Sequence, residues 1–366
     1  MEKIRKGAKA MPETVFTKQK TLEAKGLAIL LLLSYHLFEN RQMLEELQVN
    51  HAPFTTDRFL LFTGFGNICV AVFVFLTAYG ISIGLLRQNA PFMEQLRQAW
   101  KRFYKLMLQF FILYLSVNLL WHRHFDYVSL YGSGKQGLLY ALTDGLGLSM
   151  FFHTPTLNMT WWYMEIAYIL IFLVPVLALL VRKTGYYLLP LAFFAPFVFP
   201  MGEDIHRYFF VAVLGVCAAY GHLPDKLLSI KIPAILKWIC ALALLILCVL
   251  IRQNYVVYET YIYLADAPMA LLVIYVACAL FGTVPGMKQA LSFIGKHSMN
   301  IFLVHTFFYM SLWREYIYRF HYWLISLLLC LMASLVYSVI LEAVKAGVLR
   351  LFLWGKPRLS AHFDRR

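Results

Sequence analysis

Four ionisable side chains interrupt the apolar stretches of this 366-residue chain: His36, Glu165, Asp266 and His305. An acid or base at the centre of a membrane helix costs about 3 kcal/mol, so its presence there points to function. His36 stands in "AKGLAILLLLSYHLFEN", eleven residues after Lys25. On a helix that spacing is about 16 Å along the axis. A neutral, desolvated imidazole accepts a proton from a hydroxyl, which suits general-base catalysis. A carboxylate on its other nitrogen would fix its tautomer, and Glu165 or Asp266 is the candidate for that. Glu165 lies in "MTWWYMEIAYILIF", Asp266 in "YIYLADAPMALL" and His305 in "NIFLVHTFF". All four share one rough depth, near the outer ends of their runs. One polar cavity opening outward accounts for this better than four separate accidents. A histidine bonded to a neighbouring helix is the plainer alternative for each taken alone. Trp161 and Trp162 suit an interfacial aromatic belt and also offer rings on which a sugar could stack.

A second set of candidates is cationic. "EQLRQAWKRFYKLML" carries Arg97, Lys101, Arg102 and Lys105. Arg97 and Lys101 read as anchors at the membrane surface. Arg102 and Lys105 stand three apart, share one helix face and lie deeper, where a cationic pair can hold phosphates. With Lys25 they form the inner group. The H-x-H of His122 and His124 lacks a third ligand nearby and reads as interfacial. The six cysteines fall within apolar runs without metal or redox spacing, so neither a metal nor a disulfide is expected.

The elements that must position these residues are helices in a membrane. The chain is 61% hydrophobic and 14% charged, with a mean hydropathy of +0.66. Soluble domains are about a quarter charged, and the apolar runs here are continuous rather than alternating, which excludes a barrel. The expected fold is an all-α polytopic membrane protein of about ten transmembrane helices. They cover 22–38, 59–86, 103–121, 161–181, 187–201, 207–221, 235–251, 261–281, 297–313 and 322–344. Residues 136–152 form an interfacial or re-entrant piece. Placing both termini in the cytoplasm puts 25 of the 33 Lys and Arg residues inside. That bias explains most of the net charge of +14 without any nucleic-acid partner. No cleavable signal peptide is visible at the polar, basic N-terminus.

Five segments together resemble the acyltransferase-3 family of integral membrane acyltransferases. "LEAKGLAILLLLSYH" is similar to its Arg-x10-His helix, with lysine at position 25. "VAVFVFLTAYGISIG" resembles its phenylalanine-rich helix, and "KRFYKL" its cytosolic Arg-x-x-Arg motif, with Lys105 for the second arginine. "LSFIGKHSMNIFLVHTFF" resembles its late histidine helix, and "WWYMEIAYILIFLVPVL" its tryptophan-led span. No one motif is specific, but their order and spacing are.

The resemblance implies acyl transfer from cytosolic acyl-CoA, acetyl-CoA foremost, to a hydroxyl of an extracytoplasmic or lipid-linked glycan. Residues 22–345 would be the membrane acyltransferase domain, flanked by basic cytosolic segments 1–21 and 346–366. His36, with Glu165 or Asp266, would be catalytic. Lys25, Arg102 and Lys105 would bind the donor, and Trp161, Trp162 and His305 would face the acceptor. The setting would be a bacterial cytoplasmic membrane, with membrane lipid as solvent and no metal. A transporter or flippase using the same His, Glu and Asp groups is the competing expectation.

Overall fold

The computed structural model describes residues 15–88 and 90–354. Residues 1–14 of the expected N-terminal segment and 355–366 of the tail lie outside them. Twelve helices position the candidate residues: α1 (Lys18–Leu37), α2 (Cys69–Gln88), α3 (Phe92–Trp121), α4 (Gly134–Gly145), α5 (Tyr163–Thr184), α6 (Leu188–Val198), α7 (Glu203–Gly221), α8 (Ala234–Gln253), α9 (Tyr255–Tyr275), α10 (Met287–Lys296), α11 (Ser298–Thr306) and α12 (Trp323–Trp354). No strand occurs among the described residues; one isolated bridge joins Asn50 to Tyr322.

Six helical stretches are long and apolar enough to cross a membrane: Thr56–Gln88, Phe92–His124, Met159–Val198, Ala234–Arg252, Tyr261–Thr283 and Trp323–Gly347. The other expected spans differ for identifiable reasons. α1 carries Lys18, Lys20, Glu23 and Lys25 in its first two turns. α6 has 11 residues, about half of what a bilayer requires. It is set off from α5 by Gly185, whose φ of 60° ends the preceding helix. α7 opens with Glu203 and Asp204. The expected ninth span, 297–313, divides into α11 and a π-helical turn, Phe307–Leu312, with α10 directly before it.

α1 is capped by Thr17, whose hydroxyl accepts from the Lys20 amide. It crosses α10 with backbones in contact. A Cβ on Gly26 would lie 2.0 Å from the Leu291 carbonyl oxygen, and one on Gly295 1.9 Å from that of Leu22. Only reciprocal glycines allow this approach, the small-residue packing typical of membrane helices. α1 also packs on α2, α11 and α12. Every residue from Cys69 to Leu76 of α2 is buried, as expected of a helix apolar all round. α3 packs instead on α5, α4 and α12. The expected re-entrant piece is α4 and the loop after it, held by buried Asp144. Its carboxylate accepts from the Tyr131 hydroxyl (2.6 Å), the Ser149 hydroxyl (2.9 Å) and the Leu157 amide (2.8 Å). These bonds satisfy its polar atoms without exposing the chain.

Candidate active site

α1 brings His36 against His305 of α11. Their ring centroids are 5.0 Å apart and their planes meet at 79°. The α1–α11 contact places them, and the crossing of α1 with α10, directly before α11, fixes its depth. His305 is fully buried. Its Nδ1 lies 2.9 Å from the Phe302 carbonyl oxygen and 3.1 Å from that of Ile301. Both partners only accept, so Nδ1 carries the hydrogen and Nε2 the lone pair. His36 is partly exposed and has the Tyr35 ring edge-on at 5.1 Å. Tyr309, in the π-helical turn, stacks on His305 at 6.0 Å. Such turns recur at functional sites. The pair is thus half sealed and half open, with exposed Glu39 just beyond it on the chain.

Neither expected carboxylate bonds to His36. Asp266 is fully buried and bound by two arginines. Arg252 Nη2 donates to its Oδ1 at 2.8 Å, and Arg207 donates to its Oδ2 at 3.4 Å from both Nε and Nη2. Arg207 also reaches Asn67 Oδ1 at 3.3 Å, and Arg252 the Phe65 carbonyl at 3.3 Å. Asp266 is therefore one corner of an ionic triad joining α7, α8 and α9. Glu165 is partly exposed at the start of α5, with Asp204 and His153 as its ionisable neighbours. The shared depth inferred from the apolar runs does not bring the four groups into one cluster.

The tryptophans also separate. Trp161 is 3% exposed, and its Nε1 donates to the Leu303 carbonyl at 2.9 Å. Phe110, Tyr114 and Phe307 surround the ring. Together with Asn158, which donates to Thr306 Oγ1 at 2.6 Å, it clamps α11 two residues from His305. Trp162 keeps some exposure and stacks on Tyr208 at 6.2 Å.

At the other end of α1, Lys25 is partly exposed and makes no ion pair or hydrogen bond among the described residues. Its neighbours are tied down. Lys20 Nζ donates to the Cys278 carbonyl at 3.1 Å, Cys278 Sγ donates to the Lys20 carbonyl at 3.3 Å, and Gln19 bonds to Ser292. Glu23 is 1% exposed, and its Oε1 has no partner among the described residues. On α3, Arg102 is partly buried and its Nη1 is sealed without a partner among the described residues. Lys105 is exposed, so it lies outward of Arg102 on the helix face they were expected to share. Arg97 pairs with Glu94 at 2.9 Å, as a surface anchor should. No hydrogen bond or ion pair among the described residues involves Lys25 and Arg102 together. No metal-site grouping of His, Cys, Asp and Glu occurs among the described residues.

Sequence reasoning missed Arg207, Arg252 and Tyr35. Arg207 and Arg252 were visible as two of the eight cations left on the outer side, at the ends of the two apolar runs that precede the run of Asp266. A buried acid requires a paired base, which is the signal that would have found them.

A helical scaffold with membrane-length apolar stretches and titratable groups buried among them defines an integral membrane protein of the polytopic type. The chain belongs to the acyltransferase-3 family: the family's acyltransferase-domain model matches residues 24–343. It is accordingly an acyltransferase that moves groups other than aminoacyl groups. No curated relative and no solved structure matches it.

Proposed function

We propose that the protein is an O-acetyltransferase, moving an acetyl group from cytosolic acetyl-CoA to a hydroxyl of an extracytoplasmic or lipid-linked glycan. The observation that carries the reading is α1 itself. One end holds His36 against a buried histidine, and the other holds Lys25 without an ion-pair partner among the described residues. His36 is the base that takes the acceptor's proton. Lys25, with Arg102 and Lys105, meets the phosphates of the donor, as unpartnered cations at a helix end are suited to do. Trp162, which keeps open area, lines the acceptor side, and buried His305 backs it through its contact with His36. The reading includes ten spans with both termini in the cytosol of a bacterial cytoplasmic membrane. α1, α7 and α11 join the six long apolar stretches, Met159–Val198 being divided at Gly185 into two spans, α5 and α6, and the positive-inside distribution supports the orientation.

The test is thiol release from acetyl-CoA by the protein in membrane vesicles that retain the native acceptor. The wild type should release coenzyme A, and His36→Ala should not. Folded wild-type protein that leaves acetyl-CoA intact would overturn the reading.

A further inference from the structure

The active-site arrangement leaves one atom without an evident task. His305 has its Nδ1–H committed to the Ile301 and Phe302 carbonyls, and its Nε2 lone pair is sealed from solvent with no hydrogen-bond partner among the described residues. A buried acceptor left empty costs about 1–3 kcal/mol. Three rings neighbour the His305 ring, measured centroid to centroid: Phe302 at 6.4 Å, Tyr309 stacked at 6.0 Å and His36 in a T-shaped contact at 5.0 Å. Phe302 has no polar atom, and Tyr309 lies stacked on the imidazole face, away from the in-plane lone pair. His36 is the neighbour whose ring carries an N–H. The carboxylates expected to orient His36 are occupied or elsewhere, Asp266 by two arginines and Glu165 beside Asp204.

We propose that His305 is a positioning residue. Its Nε2 accepts the hydrogen bond of the protonated ring nitrogen of His36, once a small turn of the His36 ring brings that nitrogen from its present T-shaped contact to the lone pair. The other His36 nitrogen is thereby left unprotonated toward the acceptor hydroxyl. This rests on the reading of His36 as the base. A neutral imidazole fits the place better than a carboxylate, because a lone anion so deeply buried would cost several kcal/mol more. The backbone of α11 sets the tautomer of His305, and His305 in turn sets that of His36. During transfer the acceptor O–H gives its proton to the free His36 nitrogen, and the acceptor oxygen bonds to the acyl carbon. The carbon–sulfur bond of the acyl thioester breaks, and the departing thiolate takes that proton from His36. While both His36 nitrogens carry hydrogen, the one facing His305 keeps its partner.

The experiment combines steady-state thiol release with nitrogen-15 histidine spectra of the full chain in nanodiscs, the His36 signals being assigned with His36→Ala. Wild-type His36 should show one neutral tautomer. His305→Phe keeps a ring but removes the lone pair. It should give a mixture of His36 tautomers and lower kcat about 10- to 100-fold, with KM for acetyl-CoA unchanged. His305→Gln places an acceptor near the former Nε2 and should restore both the tautomer and most of kcat. His305→Leu replaces the phenylalanine variant if the latter does not fold, and is read the same way. An unchanged His36 tautomer overturns the proposal, whether kcat holds or falls, since a fall alone would mean simple packing. Undiminished turnover in His36→Ala overturns the base assignment instead, and the tautomer pattern still reports whether His305 holds His36.

Discussion

At the scale of single residues, proximity alone does not assign roles. His36 and His305 meet, whereas Asp266 is turned to Arg207 and Arg252. His36→Ala should therefore lower kcat by roughly 10²- to 10⁴-fold, the usual contribution of a positioned base, and leave the KM for acetyl-CoA unchanged. His36→Gln should be nearly as slow, because an amide hydrogen-bonds but does not take the proton. Lys25→Ala and Arg102→Ala should do the opposite, raising KM for acetyl-CoA more than they lower kcat. A phosphate contact far from the reacting carbon contributes about equally to ground and transition states. Steady-state kinetics of the purified variants separate the two patterns. Asp266→Asn is expected to act on stability. Losing one partner of a buried ion pair costs about 3–5 kcal/mol. Thermal unfolding in detergent should show a clear drop, with the remaining folded protein keeping its specific activity.

Helices set the precision of the site, and the α1–α10 crossing is the most demanding contact. Gly26→Ala puts a methyl 2.0 Å from the Leu291 carbonyl oxygen, a backbone atom unable to move aside. Overpacking of this kind costs about 1–3 kcal/mol or more, and here it would also tilt both ends of α1. Gly80→Ala in α2 meets nothing within 4 Å and serves as the control. Thermal unfolding of the two variants, compared with the wild type, should show a loss only for Gly26→Ala. Unaltered stability in Gly26→Ala would mean that α1 and α10 can separate freely. The reciprocal glycines were present in the sequence, but a lone glycine in an apolar run has many meanings. Only the crossing partner, Gly295, reveals the close approach.

For the whole molecule the central expectation is orientation. With 25 of 33 cations assigned to one side, the loop before α3 is expected in the cytosol. A cysteine at Phe92→Cys, with exposed Cys240 replaced by serine, should react with an impermeant maleimide only after the cells are opened. Labelling in intact cells would reverse the topology and place the Lys25 end away from cytosolic donors.

Class, membrane setting and the ends of α1 were legible in the chain itself. They depend on local quantities: the run of apolar residues, the eleven-residue spacing of Lys25 and His36, and the charge of the loops. Helical periodicity makes such quantities nearly independent of the rest of the fold. Pairing was not legible. Nothing in the spacing of "YIYLADAPM" tells that Asp266 belongs to Arg252 rather than to His36, since the two alternatives differ only in how α8 and α9 lie against α1. The same holds for Trp161, whose interfacial position suggested a platform until its indole was found bonded to the Leu303 carbonyl. Depth along the membrane is written in the order of residues. Which side chains meet at that depth depends on the rotation of each helix about its own axis, and only the packing of close-fitting, largely buried helices decides it.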